Sequence, residues 1–155
     1  MEFTIRHATV TDVPAIIELL ADDEIGATRE TPHDRAPYEE SFAAIAADPN
    51  QLLVVGERGG QIVATMQLTF IPGLSRRGTW RAQIEGVRVA SAARGGGLGE
   101  ALMRWAIEQA RQRRCALVQL TSDDRRREAH RFYQRLGFTA SHTGFKLPLE
   151  YSTSP

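Results

Sequence analysis

The residues best suited to chemistry in this sequence form a glycine-rich turn that reads RGGGLGE over residues 94–100. A strand-like segment precedes the turn, and a helical stripe of apolar residues begins within it. The first turn of a helix has N–H groups without partners and carries a partial positive charge. Glycines let the backbone approach a phosphate closely. The segment therefore predicts a site for a pyrophosphate; the alternative is a turn that only caps a helix, but four glycines in five residues exceed what a cap requires.

Two common phosphate motifs do not match this turn. A Walker loop requires GxxxxGK followed by Ser or Thr, but the single lysine, Lys146, is followed by Leu147. A dinucleotide fingerprint requires GxGxxG, and the position three residues after Gly99 is Leu102. A phosphate-binding enzyme of another kind remains open at this point.

Composition limits the class of protein. The 155 residues are 42% hydrophobic and 25% charged, which is typical of one globular domain. The single cysteine, Cys115, excludes an internal disulfide and a multi-cysteine metal site, and no histidines have metal-type spacing. The N-terminal sequence has no signal-peptide pattern and no apolar run is long enough to span a bilayer, so we expect a cytoplasmic protein without a membrane partner.

The zero net charge hides two oppositely charged halves. Residues 1–75 contain 4 arginines against 12 acidic residues, whereas residues 76–135 contain 14 arginines against 6 acidic residues. The basic half suits an anionic ligand, and the acidic half suits a cationic one. The alternative is that both are solvated faces. The basic half has no interleaved aromatic residues, so we expect no nucleic-acid partner.

The elements that must position the turn follow the order βααβββαβαβ. Branched apolar runs predict strands at 51–57 and 61–71, joined by a glycine hairpin, and at 115–120. A long strand over 79–90 is interrupted by Gly86, which marks a bulge or a close backbone approach. Helical stripes predict helices after Thr11, after Pro37, from residue 98 and around residues 129–136. The remaining predictions are a first strand near Phe3 and Ile5, a loop or broken helix over 21–36, and a last strand over 138–149.

This order predicts an α+β fold with a mixed, mostly antiparallel sheet of six to seven strands and helices on both faces. We expect one domain over residues 1–150 and a frayed tail over residues 151–155.

Two segments in this order resemble motifs of one family. Residues 94–99, RGGGLG, resemble the R/Q-x-x-G-x-G/A signature of the GNAT N-acetyltransferase superfamily. Residues 129–138, AHRFYQRLGF, resemble its A-x-x-x-Y-x-x-x-G-F segment. The resemblance implies acetyl-CoA as co-substrate, no metal and a homodimer. It also implies that the central strands over 79–90 and 115–121 splay apart and hold the pantetheine arm in the gap between them. The residues implied to bind acetyl-CoA through backbone groups are Val87, Val89, Arg94, Gly95, Gly96, Gly97, Leu98, Gly99 and Glu100.

The same resemblance implies two catalytic residues. Glu85 would act as the base, through water, and Tyr133 would act as the acid at the leaving thiolate. The alternatives are a solvent-facing strand glutamate and a core tyrosine. Glu85, Val87 and Val89 share one face if the strand is regular, and a bulge at Gly86 would change this.

The resemblance leaves the acceptor and one cofactor contact open. Arg126 stands where the family often has Asn, and the alternative to the contact of that Asn is one between Arg126 and a phosphate of CoA. The resemblance implies direct acetyl transfer to a primary amine of a small acceptor. We expect this acceptor to be cationic, because the N-terminal half, including the segment 21–36, is acidic. The alternative is a non-catalytic sensor module of the same fold that binds acyl-CoA.

Overall fold

The computed structural model describes residues 2–151. The chain divides into two compact units, one up to Leu120 and one from Thr121 onward. The first unit contains a five-stranded sheet in the order β1-β2-β3-β4-β5. Its strands are β1 (Phe3–His7), β2 (Gln51–Arg58), β3 (Gln61–Pro72), β4 (Trp80–Val89) and β5 (Leu117–Leu120). The first four pair antiparallel, and β5 pairs parallel with β4.

The described residues form six helices. They are α1 (Val13–Ala21), α2 (Glu24–Arg29), α3 (Ala36–Ala47), α4 (Ser75–Gly78), α5 (Leu98–Gln112) and, in the second unit, α6 (Arg127–Arg135). Short 3-10 turns at Val10–Asp12 and Ser91–Ala93 precede α1 and α5. The helix α4 is one short turn in which Arg76 and Arg77 have left-handed backbone angles.

The hairpin between β2 and β3 follows from its two-residue glycine loop. Gly59 and Gly60 both have positive φ (61° and 77°), as the tightest hairpin turns require. Arg58 and Gln61 are the paired residues that flank the loop. The predicted strands at 51–57 and 61–71 are therefore confirmed, each one residue longer than expected.

The first unit has buried side chains on both faces of the sheet, because the neighbours Val54 and Val55 of β2, and Thr65 and Met66 of β3, are all almost fully buried. Strand side chains that alternate along β3 and β4, such as Leu68, Phe70, Ala82 and Ile84, are almost fully buried. The helices α1 and α5 contact these two strands, and Leu102 of α5 is fully buried. Burial of each of the larger side chains contributes about 1.5–3 kcal/mol. This burial fixes α5, and with it the glycine turn, against the sheet.

The predicted last strand is wrong. Residues 138–149 have no regular secondary structure, so the sheet has five strands rather than six or seven. Phe145, Leu147 and Leu149 alternate as in a strand, but they are 92%, 84% and 69% exposed. The alternation lacks a buried face, and Pro148 cannot donate a ladder hydrogen bond. Of the predicted tail, residues 152–155 lie outside the described part of the chain.

Candidate active site

The two strands predicted to splay pair along only part of their length. The parallel pairing of β4 with β5 runs from Arg81–Leu117 to Ile84–Leu120, where β5 ends. Strand β4 continues to Val89. Within residues 2–151, β5 thus gives no partner to the stretch Glu85–Val89, and this side of β4 is an open backbone edge.

Val89 directs its backbone groups toward that open edge. The N–H of Ala90 donates to the carbonyl of Val63 at 2.8 Å. Since ladder bonds alternate along an antiparallel pair, Val89, which lies opposite Ala64, turns its N–H and C=O away from β3. Its carbonyl accepts a hydrogen bond from Arg94 Nε at 3.2 Å. The carbonyl of Val87 accepts a hydrogen bond from Arg88 Nη1 at 2.8 Å.

A bulge at Gly86 changes which side chains share a face of β4. Thr65 of β3 pairs with Arg88, but Gln67 pairs with Glu85, so two residues of β4 stand opposite Met66. Gly86 has a positive φ of 60°, as bulges of this kind favour. The bulge reverses the alternation, and Glu85 therefore faces the side of the sheet opposite to Val89. The expectation that Glu85, Val87 and Val89 share one face held only for a regular strand.

Glu85 is exposed. It lies on the face of the sheet that also carries Gln83, Gln67 and Thr69, which we call the polar face. Its carboxylate accepts a hydrogen bond from Gln83 Nε2 at 3.1 Å, and Gln83 in turn accepts one from Gln119 Nε2 at 3.0 Å. On the neighbouring strands, Gln51 Oε1 accepts from Gln67 Nε2 and from the Thr69 hydroxyl. This face can therefore place a carboxylate, fixed by an amide, next to the point where β4 and β5 part.

The glycine turn has the backbone that its composition predicts. Gly95 and Gly97 have φ of 84° and 78°, and Gly97 is the N-cap of α5. A Cβ at either position would meet no atom within 4 Å, so the outer side of the turn is open. Leu98 is buried and anchors the helix start. The first-turn N–H groups of α5 have no intrahelical partner and are suited to an anion.

A second contact holds the approach to this turn. Asp22, which ends α1, accepts hydrogen bonds from the backbone N–H and the hydroxyl of Ser91. These hydrogen bonds lower the pKa of Asp22. The side chain of Glu100 is instead paired with Arg104 at 2.6 Å.

Tyr133 lies in the second unit on α6. Its ring packs edge-to-face against Phe132 (centroids 5.3 Å apart) and Phe138 (6.0 Å). Gly137, with a φ of 98°, ends the helix as its position predicts. Arg126 immediately precedes α6.

Sequence reasoning did not single out Gln83, Gln119 or Ser91. Gln83 had a signal, since it lies two residues from Glu85 on the same strand and a regular strand places such residues on one face. Ser91 and Asp22 are 69 residues apart, and nothing local pairs them. In the described part of the chain, no cluster of three or more metal-ligating side chains is present. No helix described there has the length and apolar character to cross a membrane.

Comparisons with known proteins agree with this geometry. The model of the acetyltransferase (GNAT) family matches residues 13–138. The chain is 32% identical over 145 residues to aminoalkylphosphonate N-acetyltransferase from Salmonella typhimurium, covering 94% of this chain and 90% of that one. It is 29% identical over 153 residues to L-methionine sulfoximine/L-methionine sulfone acetyltransferase from Pseudomonas paraeruginosa, covering 91% and 83%.

A solved structure is similar over nearly the whole chain. The crystal structure of a transcriptional regulator from Bacillus halodurans C-125 is 47% identical, with a TM-score of 0.92, covering 96% of this chain and 100% of that one. The family model spans well over half of the sequence, including β4, the glycine turn and α6. The chain therefore belongs to the GNAT acetyltransferase family and is an acetyl-CoA-dependent N-acetyltransferase.

Proposed function

We propose that this enzyme transfers the acetyl group of acetyl-CoA directly to the primary amine of a small acceptor, with Glu85 as base and Tyr133 as acid. The observation that carries the proposal is the open edge of β4 over Glu85–Val89, followed at once by the glycine turn. An extended, amide-containing arm fits an unpaired strand edge. A pyrophosphate fits N–H groups at a helix start.

The residues present fit acetyl-CoA in two respects. The N–H of Val89 is turned toward the open edge, where it can donate to a carbonyl oxygen. The positive φ of Gly95 and Gly97, with open space outside both, leaves the turn accessible to phosphate oxygens. The backbone groups from Arg94 to Glu100 would hold the pyrophosphate, and Val87 and Val89 would line the pantetheine arm. Bound acetyl-CoA supplies the acetyl group as an activated thioester.

Two side chains of this enzyme, Glu85 and Tyr133, would take up and donate the protons of the reaction. An amine acceptor is mostly protonated at neutral pH, with an ordinary pKa near 10, so it must lose a proton before it attacks. Glu85, exposed and held by Gln83, takes up that proton through a water. The Tyr133 hydroxyl gives a proton to the sulfur as the C–S bond breaks. The second proton that the nitrogen loses on becoming an amide restores the hydroxyl, so that amide, thiol and the proton held by Glu85 are the products.

We propose that the acceptor is a small primary amine that carries its positive charge on the ammonium group. The acidic segment that follows α1, including Asp23 and Glu24, supports attraction of a cation. The two curated relatives are named for an aminoalkylphosphonate and for methionine derivatives, which carry an acidic group beside the amine. We infer that the acceptor of this enzyme also carries one.

The test is calorimetric titration of acetyl-CoA, with CoA and ATP as controls, followed by thiol release against an amine panel. The panel should contain aminoalkylphosphonates, methionine sulfone, a polyamine and an aminoglycoside. We expect micromolar binding of acetyl-CoA and thiol release with the first two classes. Release only with the polyamine would overturn the acidic-group inference. If acetyl-CoA binds but no amine causes thiol release, the protein is a sensor and the catalytic proposal fails. If ATP binds and acetyl-CoA does not, the assignment of the acetyl-CoA site fails.

A further inference from the structure

Three side chains on the polar face of the sheet form a chain of hydrogen bonds that ends on the proposed base. Gln119 Nε2 donates to Gln83 Oε1 at 3.0 Å, and Gln83 Nε2 donates to Glu85 Oε1 at 3.1 Å. Gln67, which lies opposite Glu85 in the ladder, donates instead to Gln51. Among the described residues, the side-chain hydrogen bond to Glu85 therefore comes from Gln83.

The charge of Glu85 fixes the donor-to-acceptor direction of both hydrogen bonds in this series. An ionised carboxylate only accepts hydrogen bonds, so Gln83 must present its NH₂ group to Glu85. The carbonyl oxygen of Gln83 then points the other way and requires a donor, which is the NH₂ group of Gln119. Gln119 thus fixes which end of the Gln83 amide faces the carboxylate.

The three hydrogen-bonded side chains lie where β4 and β5 separate. Gln83 and Gln119 stand directly opposite each other in the parallel ladder, one residue before the last pair, Ile84–Leu120. Both are half-buried, whereas Glu85 is exposed. An exposed glutamate samples several rotamers. A hydrogen bond from a half-buried amide that itself makes two hydrogen bonds reduces the number of rotamers it samples. The Gln83 amide is therefore placed to hold the Glu85 carboxylate next to the end of the β4–β5 pairing.

We propose that Gln83 is a positioning residue that holds the Glu85 carboxylate in the geometry for proton uptake, with Gln119 fixing the Gln83 amide. This inference rests on the proposed function, since it takes Glu85 as the base. When Glu85 takes up a proton it becomes a donor, and the Gln83 amide can then turn its oxygen to it. The pair can thus stay bonded in both protonation states.

The experiment is a double-mutant cycle on thiol release with saturating acetyl-CoA and the fastest acceptor of the panel. The variants are Gln83→Leu, Glu85→Gln, their double variant and Gln119→Leu, with Thr69→Val as the matched control. Thr69 lies opposite Gln83 on the neighbouring strand, is half-buried, and bonds to Gln51 rather than to Glu85. Thermal unfolding of every variant checks that it is folded.

We expect Gln83→Leu to lower kcat about tenfold, the size of one hydrogen bond to a charged group, and to leave the KM for acetyl-CoA unchanged. In the Glu85→Gln background the same substitution should lower kcat no further, because the group it positions is gone. Gln119→Leu should lower kcat less than Gln83→Leu, and Thr69→Val should not change it.

Three outcomes would overturn the inference, and they separate it from the proposed function. If Glu85→Gln lowers kcat but Gln83→Leu does not, Glu85 remains the base and Gln83 does not position it. If Gln83→Leu costs the same factor with and without Glu85, Gln83 acts by another route. If Glu85→Gln leaves kcat unchanged, the assignment of the base and the role of Gln83 both fail.

Discussion

The Asp22 carboxylate accepts two hydrogen bonds from Ser91, one from its hydroxyl at 2.6 Å and one from its backbone N–H at 3.3 Å. Asp22 ends α1, and Ser91 begins the 3-10 turn that leads into the glycine turn. The contact therefore ties the acidic segment after α1 to the approach of the predicted pyrophosphate site.

Loss of this contact should weaken acetyl-CoA binding. We expect Asp22→Ala to raise the KM for acetyl-CoA about threefold to tenfold with little change in kcat, because binding must then order the turn. Charge alone predicts the opposite sign, since removal of a carboxylate favours an anionic ligand. Steady-state kinetics of Asp22→Ala decide between the two explanations, with Glu24→Ala, at an exposed residue of α2, as the control. An equal rise in KM for Glu24→Ala would contradict the structural explanation.

The conformation of Gly97 predicts a cost for any side chain there. Its φ of 78° is strained for alanine, so we expect Gly97→Ala to lower the free energy of unfolding by about 1 kcal/mol. The same change should weaken acetyl-CoA binding in calorimetry, since Gly97 sets the start of α5. Gly96→Ala is the control for stability, because the nearest atom to its Cβ, Ala93 O, would be 3.6 Å away. Equal destabilisation by both substitutions would contradict the prediction.

Local sequence patterns predicted most of the elements that frame the site. The glycine run predicted both the start of α5 and its left-handed turn, and Gly59 and Gly60 predicted the β2–β3 hairpin. Gly86 predicted an irregularity in β4, but not its effect on the facing of Glu85. That effect depends on which β3 residue stands opposite the bulge, which is a property of the pairing and not of β4 alone.

Contacts distant in sequence had no such signal. Gln83 and Gln119 meet only because β4 and β5 pair in one register, and Asp22 meets Ser91 across 69 residues. The failure over 138–149 has a related cause. Alternation indicates that a segment can form a strand, but a strand also needs a partner edge and a buried face.

The environment of Tyr133 separates its proposed role from packing. Tyr133→Phe removes the hydroxyl and keeps the ring contacts with Phe132 and Phe138. If the hydroxyl is the acid, kcat should fall about tenfold to a hundredfold while acetyl-CoA binding is retained. Thiol release and calorimetry measure the two effects. An unchanged kcat for Tyr133→Phe would leave the tyrosine with a packing role only.

The ion pair between Arg6 and Asp12 predicts how stability depends on pH. Arg6 donates two hydrogen bonds to the Asp12 carboxylate, at 2.7 and 2.9 Å, and the carboxylate is only 5% exposed. The hydrogen bonds from Arg6 lower the pKa of Asp12 from its ordinary 3.8 to about 2. A lowered pKa in the folded state stabilises the protein above about pH 4, and this contribution is lost as the pH falls toward 2.

Asp12→Asn should therefore lower the free energy of unfolding by about 2 kcal/mol at pH 7, since one pKa unit corresponds to about 1.4 kcal/mol. The difference from the wild type should shrink between pH 4 and pH 2, as the wild-type carboxyl takes up its proton. Urea unfolding at several pH values measures both. Glu108→Gln, which breaks an exposed pair with Arg111, is the control and should cost at most about 0.5 kcal/mol at pH 7. An Asp12→Asn deficit of equal size at pH 7 and pH 2.5 would assign the effect to shape rather than to charge.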